Sequence, residues 1–235
     1  MPYVEMLCMA NSRKHGGRCV AGLKTDGSGW VRPVADSEDG TLFPFHYGLE
    51  GGGELEPLDI IQVPLKAPRP EKHQPENWII DDGSWRYVDQ AGPAIVPFLK
   101  RQLYGKAFLF GDSSDRVPFS RFATRQAEES LALIVPQDLS WQVVSSFRGN
   151  RQTRAAFRYR DTNYDLGVTD LAWQKHLRDK GYGVGADIPS TTAQDGRLLL
   201  TVSLSEPAEW DDCCYKLVAG VIVGRKDWGA TFEPR

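Results

Sequence analysis

The residues best suited to chemistry form a basic stretch near the N-terminus, residues 9–34, MANSRKHGGRCVAGLKTDGSGWVRPV. It holds five Lys or Arg and only one acid, Asp26, although the whole chain has a formal net charge of −3. A local excess of positive charge is either a solvated face or a place where an anion binds, because the field at a site depends on charges within about 10 Å. The basic residues are Arg13, Lys14, Arg18, Lys24 and Arg32.

Residues 11–18, NSRKHGGR, are predicted to connect the first two strands. The short polar side chains can hydrogen-bond a ligand, and the two glycines let backbone N–H groups approach an oxyanion closely. An arginine can hold a phosphate through two parallel hydrogen bonds. The alternative is an ordinary solubilising turn. The candidate ligand-binding residues here are Asn11, Ser12, Arg13, Lys14 and Arg18.

Trp30 and Arg32 lie two residues apart in a strand-like segment, so their side chains share one face. On an exposed sheet this pair would form a platform on which a nucleic-acid base stacks. In the alternative, Trp30 fills the end of a barrel and Arg32 covers it by a cation–π contact. The sequence leaves both interpretations open.

A second basic run lies between Ser140 and Asp161 and contains no acid. Strand alternation places Arg154 and Arg158 on one face and Phe157 and Tyr159 on the other. The basic face would track phosphates or would simply be solvated. The run contains Arg148, Arg151, Arg154, Arg158 and Arg160, interleaved with Phe147, Phe157 and Tyr159.

Polar groups also occur at strand ends and within one apolar strand. Thr169 and Asp170 end a strand, where such residues are more often helix caps than catalysts. Lys216 lies in an otherwise apolar strand, so we expect it to leave the barrel or to pair with a carboxylate such as Asp170 or Glu206.

Enzyme signatures are scarce in this chain. There is no P-loop, no G-x-S-x-G, no H-E-x-x-H and no G-x-G-x-x-G opening a helix, so no catalytic residue is assigned. Neither the histidines nor the cysteines have metal-ligand spacing, and we expect no metal and no cofactor. These residues are His15, His46, His73, His176, Cys8, Cys19, Cys213 and Cys214. No run of 18 apolar residues and no secretory signal is present, which predicts no membrane association and a cytoplasmic location.

Hydrophobic patterning predicts a mainly β chain of two tandem OB-like barrels with a few short helices. Residues 137–235 contain three strands, a helix after Asp170 that ends near Gly181, and two strong strands. This β-β-β-α-β-β order is that of a five-stranded OB barrel, in which the first loop borders the ligand face. Residues 1–136 give at least four strands, a Gly-rich loop over 38–57, a short helix near Pro97 and a helix over 120–130.

Several ordered segments resemble the dual OB-containing domain family of bacterial proteins. They are ANSRKHGGRCVAG, GWVRPV, LDIIQVPL, QPENW, YDLGVTDLAW and LLTVSLSEP followed by YKLVAGVI. The resemblance implies two OB-like barrels and a nucleic-acid or nucleotide-binding role, often in bacterial conflict or defence systems. It carries the 11–18 candidates, Trp30, Arg32, Asn77, Trp78, Thr169 and Asp170 into a ligand-binding site, and it supplies no catalytic residue.

Nucleic-acid binding by a non-catalytic module is therefore the leading functional hypothesis. Arg13, Lys14, Arg18, Arg32, Arg154 and Arg158 would contact phosphates, with Trp30, Trp78 and Tyr159 as stacking residues. The first alternative is a pocket for a small anionic, nucleotide-type ligand. The second is a protein-interaction adaptor that docks a partner through Trp85, Trp210 and Trp228. Hydrolase or transferase activity is the weakest alternative.

Overall fold

Two β-sheets form the framework of the computed structural model, which describes residues 3–146, 149–186, 188, 198–224, 228 and 232. The strands coincide with segments rich in β-branched and other apolar residues, which suit a half-buried pleated surface. The helices are short: α1 (Pro44–Tyr47), α2 (Val96–Arg101) and α3 (Leu171–Asp179). The predicted fold, mainly β with two OB-like barrels and a few short helices, is confirmed.

Five of the six strands of the first sheet close into a barrel. Its strands are β1 (Tyr3–Lys14), β2 (Gly17–Lys24), β3 (Trp30–Val34), β4 (Asp59–Pro68), β5 (Asn77–Ile80) and β6 (Arg86–Gln90). The order β1-β2-β3-β5-β4 returns to β1, because β4 pairs with both β5 and β1. Strands β3 and β5 run parallel, and β6 pairs with β4.

The second sheet repeats this strand order. Its strands are β7 (Arg116–Pro118), β8 (Leu131–Ile134), β9 (Gln137–Ser145), β10 (Arg151–Tyr159), β11 (Thr162–Val168), β12 (Leu198–Pro207) and β13 (Cys213–Val223). The path β9-β10-β11-β13-β12 matches β1-β2-β3-β5-β4, again with a parallel pairing, here between β11 and β13. Helix α3 lies between β11 and β12, as the predicted β-β-β-α-β-β order requires.

Strands β7 and β8 precede residue 137 in the chain but belong to the second sheet. Strand β7 pairs with β13, and β8 pairs with β12. The first sheet takes its strands from β1 to β6, all before residue 91. The division of the chain into residues 1–136 and 137–235 stays a prediction.

The prediction of a helix over residues 120–130 is wrong. Only a 3-10 turn, Phe119–Phe122, forms there, and the following residues are irregular and mostly exposed. The reason is that ATRQAEES offers no apolar stripe that a helix could bury. The predicted short helix near Pro97 is confirmed by α2, and the predicted strand at 131–135 is confirmed by β8.

Helix α3 has the predicted ends. The Asp170 carboxylate accepts a hydrogen bond from the backbone N–H of Trp173 at 2.9 Å, which is the N-cap interaction. Gly181 follows the C-cap residue with φ +79°, a left-handed conformation that favours glycine. Trp173 and Leu177 form the buried side. This helix fixes the end of β11, where Thr169 lies.

The two barrels are joined by backbone contact and by shared apolar packing. The backbone N–H of Arg13, at the end of β1, donates to the carbonyl oxygen of Thr169 at 3.0 Å. Met9 of β1 shares an apolar cluster with Leu199 of β12 and Ile222 of β13. The β1–β2 hairpin is therefore held in one place against the second sheet.

The two barrels approach each other closely at Gly220. A Cβ atom at this position would lie 2.1 Å from the carbonyl oxygen of Met9 and 3.2 Å from the Cα of Ala10. Because these are backbone atoms, no side-chain rotation relieves the overlap. We expect Gly220→Ala to lower the free energy of unfolding by about 1–3 kcal/mol.

Urea unfolding at equilibrium measures this effect. Gly92→Ala is the matched control, because nothing lies near the added methyl group and the backbone of Gly92 has an ordinary φ of −89°. The control variant should be unchanged or slightly more stable. Equal stability of the two variants would contradict the close approach at Gly220.

Candidate functional site

A groove of about 650 Å³ lies between the two sheets. The end of the β1–β2 hairpin, strands β10 and β11, and the strands and loop of β12–β13 all contribute residues to it. The polar and aromatic residues that line it include Ser12, Arg13, Lys14, His15, Gln152, Arg154, Thr169, Glu206, Glu209, Trp210 and Tyr215. Its volume falls in the range of pockets that hold a small ligand or a few nucleotide units.

Arg13 supplies positive charge to this groove that no acid neutralises among the described residues. Its guanidinium donates to the amide oxygen of Gln174, a neutral group, at 3.3 Å. Its backbone is fixed by the bond to Thr169. The guanidinium therefore keeps donors for an incoming anion.

Lys14 and His15 both contact Glu206. The Lys14 ammonium lies 2.7 Å from Oε1 of Glu206, and Nε2 of His15 lies 3.0 Å from Oε2. Burial raises the pKa of Glu206, but the hydrogen bonds from Lys14 and His15 outweigh that effect, so its pKa lies below the ordinary value. Glu206 is an anion that the hairpin end holds in the groove.

Trp210 lies in the loop between β12 and β13 and is 76% exposed. Its indole N–H donates to the Tyr215 hydroxyl at 3.1 Å, and that hydroxyl donates to the Asp211 carboxylate at 2.7 Å. The Arg116 guanidinium lies over the Tyr215 ring, 4.6 Å from its centroid. An exposed aromatic face is thus held in place at the groove.

Five of the predicted ligand-binding residues line this groove together: Ser12, Arg13, Lys14, Arg154 and Thr169. Arg154 is paired with Asp165, another lining residue, at 2.8 Å. The Thr169 hydroxyl donates to the carbonyl oxygen of Val218 at 3.4 Å. The clustering joins residues that lie more than 150 positions apart in the chain.

The interpretation of residues 11–18 as a loop is wrong. Strand β1 runs through Lys14 and β2 begins at Gly17, so the turn consists of His15 and Gly16. Asn11 is buried, and its amide donates to the carbonyl oxygen of Leu55 at 2.8 Å. Polar residues in a long strand resemble a loop in sequence, because nothing local shows that a second barrel covers them.

Arg18 lies outside the groove. Its guanidinium is 3.2 Å from the carboxylate of Glu54 and 5.9 Å from the centroid of the Tyr47 ring. Trp78 also lies elsewhere, half-buried against the core of the first barrel, with the Lys24 ammonium 6.0 Å from its ring. The two residues thus have partners within the first half of the chain.

Of the two interpretations left open for Trp30 and Arg32, the exposed stacking platform is absent. Arg32 is 1% exposed, and its guanidinium donates to Asn77 and Ser203 at 3.2 and 3.1 Å. Trp30 is partly buried against apolar residues of both barrels. Arg32 and its buried partner Asn77 therefore act in the structure rather than at a ligand.

The alternation predicted for the second basic run is confirmed, and two of its arginines, Arg154 and Arg158, are paired with acids. Along β10, Phe157 and Tyr159 are buried, and the Tyr159 hydroxyl donates to the carbonyl oxygen of Tyr104 at 2.9 Å. Tyr159 is a core residue and offers no stacking surface. Arg158 faces outward and pairs with Asp138 at 2.9 Å. Phe147 and Arg148 lie outside the described residues.

The buried Lys216 departs from expectation, whereas the buried Asp170 is the helix cap that the sequence predicted. Lys216 neither leaves the barrel nor pairs with Asp170 or Glu206; its ammonium donates to the carbonyl oxygens of Asp112 and Ser114 at 2.5 and 2.6 Å. Burial lowers the pKa of Lys216 to about 8. Asp170 is 1% exposed and accepts bonds from two backbone N–H groups, so it is a cap rather than a ligand contact.

Three tryptophans were predicted to dock a protein partner: Trp85, Trp210 and Trp228. Trp85 and Trp228 are buried, so Trp210 is the exposed member of the three proposed for docking.

The cysteines are free thiols. The described residues contain no cluster of three or more His, Cys, Asp or Glu arranged around a metal position. In the same ranges no helix has the length and apolarity needed to span a membrane.

The sequence model of the dual OB-containing domain family matches residues 4–221. The chain belongs to this family. The match covers both barrels, so the two sheets that share this strand order correspond to the two OB units of the family. No curated protein matches this dual OB-containing domain at a significant level.

One solved structure, the tetrameric p202 HIN2, is similar to this dual OB-containing domain at 9% identity. The alignment covers 95% of this chain and 92% of the other, with a TM-score of 0.29. A score this low carries no inference about function.

Trp210, Tyr215, Gln152 and Glu206 are among the lining residues that the sequence analysis did not assign to a ligand site. The available signal was the position of Trp210 in the loop between the fourth and fifth strands of an OB barrel, because such loops border the ligand face. No comparable signal marks Gln152 or Glu206, since each looks like an ordinary strand residue. Only the fold places them beside Arg13.

Proposed function

We propose that the groove binds a short segment of single-stranded nucleic acid, with Arg13 at a phosphate and Trp210 at a base. The observation that carries the proposal is that the unneutralised Arg13 and the exposed Trp210 line one groove between two OB barrels. OB barrels bind oligonucleotides through these loops and strands. A positively charged groove with aromatic faces is the usual arrangement for single strands.

Charge pairing limits how many phosphates the groove would contact. Lys14 is paired with Glu206, and Arg154 with Asp165, which leaves Arg13 as the free cation among the described lining residues on the hairpin. We therefore expect a shallow salt dependence. Each phosphate neutralised on a single strand changes the slope of log K against log salt by about 0.7.

A single strand is favoured over a duplex because of Trp210. Its indole ring can stack only on a base that has left the base-pair stack, and such a contact contributes about 1–3 kcal/mol. The tether from Trp210 through Tyr215 to Asp211 holds the ring before any ligand arrives. Less side-chain freedom is then lost on binding.

Fluorescence anisotropy with labelled single-stranded and double-stranded oligonucleotides, at about 50 and 200 mM salt, tests the proposal. We expect binding of the single strand, and Arg13→Ala should reduce the salt slope by about 0.7. Arg158→Ala is the matched control, because it removes the same charge from the outer face of β10. Equal weakening by both variants, or no binding at the lower salt, would contradict the proposal.

A pocket for a single nucleotide is the second candidate. The paired charges favour it, because a long phosphate backbone would meet few free cations, whereas one nucleotide needs only Arg13 and the neighbouring lining residues. A thermal shift caused by one nucleotide at about millimolar concentration, and by no oligonucleotide, would select this candidate. Cytoplasmic location, a defence setting and a protein-docking role of Trp210 stay predictions.

A further inference from the structure

Glu206 is held by two basic side chains from one hairpin end. Lys14 contacts Oε1 and His15 contacts Oε2, so each carboxylate oxygen takes one donor. A carboxylate only accepts hydrogen bonds, which means that His15 must donate from Nε2. Lys14 is fixed further by a hydrogen bond to the backbone carbonyl of Asp39, and its side chain is only 15% exposed.

We propose that Lys14 and His15 form the subsite of a phosphate monoester, and that the Glu206 carboxylate occupies this subsite when no ligand is bound. The inference rests on the proposed function, because it concerns the same groove. It specifies the ligand as one that ends in a phosphate, either a phosphorylated strand terminus or a nucleoside monophosphate. Glu206 then sets how strongly the groove selects for that group.

The Glu206 carboxylate can leave without disturbing the sheet. Among the described residues its oxygens contact only Lys14 and His15. Its side chain is 30% exposed, and the pairing of β12 with β13 is irregular between Leu204 and Pro207. Rotation of the Glu206 side chain into solvent breaks two ion contacts but no backbone hydrogen bond.

Charge decides which ligand displaces this carboxylate. A phosphodiester carries one negative charge, as Glu206 does, so replacing the carboxylate by a phosphodiester adds little binding free energy. A phosphate monoester carries about −1.5 to −2 at neutral pH and has three strong acceptor oxygens. Lys14 and His15 therefore interact more strongly with a monoester than with the carboxylate it replaces.

The test compares Glu206→Gln with Glu209→Gln. Glu209 also lines the groove but makes no ion pair in the described part of the chain, so its variant removes the same charge without freeing Lys14 and His15. Each protein is titrated with one labelled single strand in three forms: 5′-phosphorylated, 3′-phosphorylated and unphosphorylated. A nucleoside monophosphate and its nucleoside are measured in parallel by calorimetry.

We expect Glu206→Gln to bind a phosphorylated end about tenfold more tightly than the wild type, with the unphosphorylated strand changed less than about twofold. Glu209→Gln should alter all three strands by a similar small factor, since it changes only the general field. Adding Lys14→Gln to Glu206→Gln should abolish the preference for the phosphate. Thermal unfolding of each variant verifies that it is folded.

Three outcomes would overturn the proposal while leaving nucleic-acid binding intact. The first is that Glu206→Gln gains affinity equally for phosphorylated and unphosphorylated strands. The second is that Glu209→Gln gains as much affinity as Glu206→Gln. The third is that folded Glu206→Gln loses affinity. If no strand binds but the nucleoside monophosphate binds more tightly to Glu206→Gln, the subsite stands and the proposed nucleic-acid function fails. If neither the strands nor the monophosphate binds to any variant, both fail.

Discussion

Replacing Arg32 by leucine should lower the free energy of unfolding by about 3–5 kcal/mol, because three hydrogen bonds from a charged donor are lost. The Arg32 guanidinium is buried where the two barrels meet, and it donates to Asn77 of the first sheet, to Ser130 directly before β8, and to Ser203 of β12. Ser130 in turn donates to the carboxylate of Glu76 at 2.7 Å. Leucine would leave the oxygens of Asn77, Ser130 and Ser203 without their donor.

The matched control for this substitution is Arg158→Leu. Arg158 is an outward-facing arginine on β10 whose side chain is 41% exposed and pairs with an exposed carboxylate, that of Asp138. Loss of such a surface pair costs about 0–1 kcal/mol. Urea unfolding of both variants, with comparison of their m-values, measures the difference. If Arg32→Leu lost no more stability than Arg158→Leu, the Arg32 network would not stabilise the contact between the barrels.

Arg32 also shows why sequence patterns located the groove only in part. Alternation along a strand tells which residues share a face, and it did so correctly for Arg154 and Phe157. It does not tell what covers that face. Arg32 is buried because residues almost 100 and more than 170 positions later, Ser130 and Ser203, pack over it.

The strand order was predictable for a different reason. Turn residues and apolar runs are local signals, and helix α3 adds a cap at Asp170 and a glycine after its end, so β-β-β-α-β-β can be derived without long-range information. The neutralisation of the basic residues could not be derived. Lys14 meets Glu206 and Arg158 meets Asp138 only after the sheets form.

These ion pairs change the functional expectation. A run of arginines without acids in the sequence predicts a surface that attracts phosphates along its length. The fold brings Asp165 to Arg154 and Asp138 to Arg158, so these two pairs weaken the positive field of that surface. The groove itself keeps a local site around Arg13 and Trp210, which favours a short ligand over a long polyanion.

Replacing Asp170 by alanine should produce a stability loss that is larger in acid than at neutral pH. Asp170 connects α3 to β13, because it accepts from the backbone N–H groups of Trp173 at 2.9 Å and Val221 at 2.7 Å. Loss of both bonds should cost about 2–4 kcal/mol at low pH. Burial raises the pKa of Asp170 to about 6, although the backbone hydrogen bonds act to lower it.

The sign of the pH dependence follows from this raised pKa. The folded protein holds the proton of Asp170 more tightly than the unfolded chain does, so the stabilisation is complete below the unfolded pKa and is lost as the pH rises through about 6. The difference between wild type and Asp170→Ala should therefore shrink by about 2 kcal/mol between about pH 4.5 and about pH 7.5. Equilibrium unfolding of both proteins at these two pH values measures the difference.

Asp161→Ala, in the exposed β10–β11 turn, is the matched control and should differ from the wild type by less than about 0.5 kcal/mol at either pH. A wild-type advantage that stays the same at both pH values would contradict this prediction, because it would mean that Asp170 is ionised over the whole range and that its two N–H donors outweigh burial.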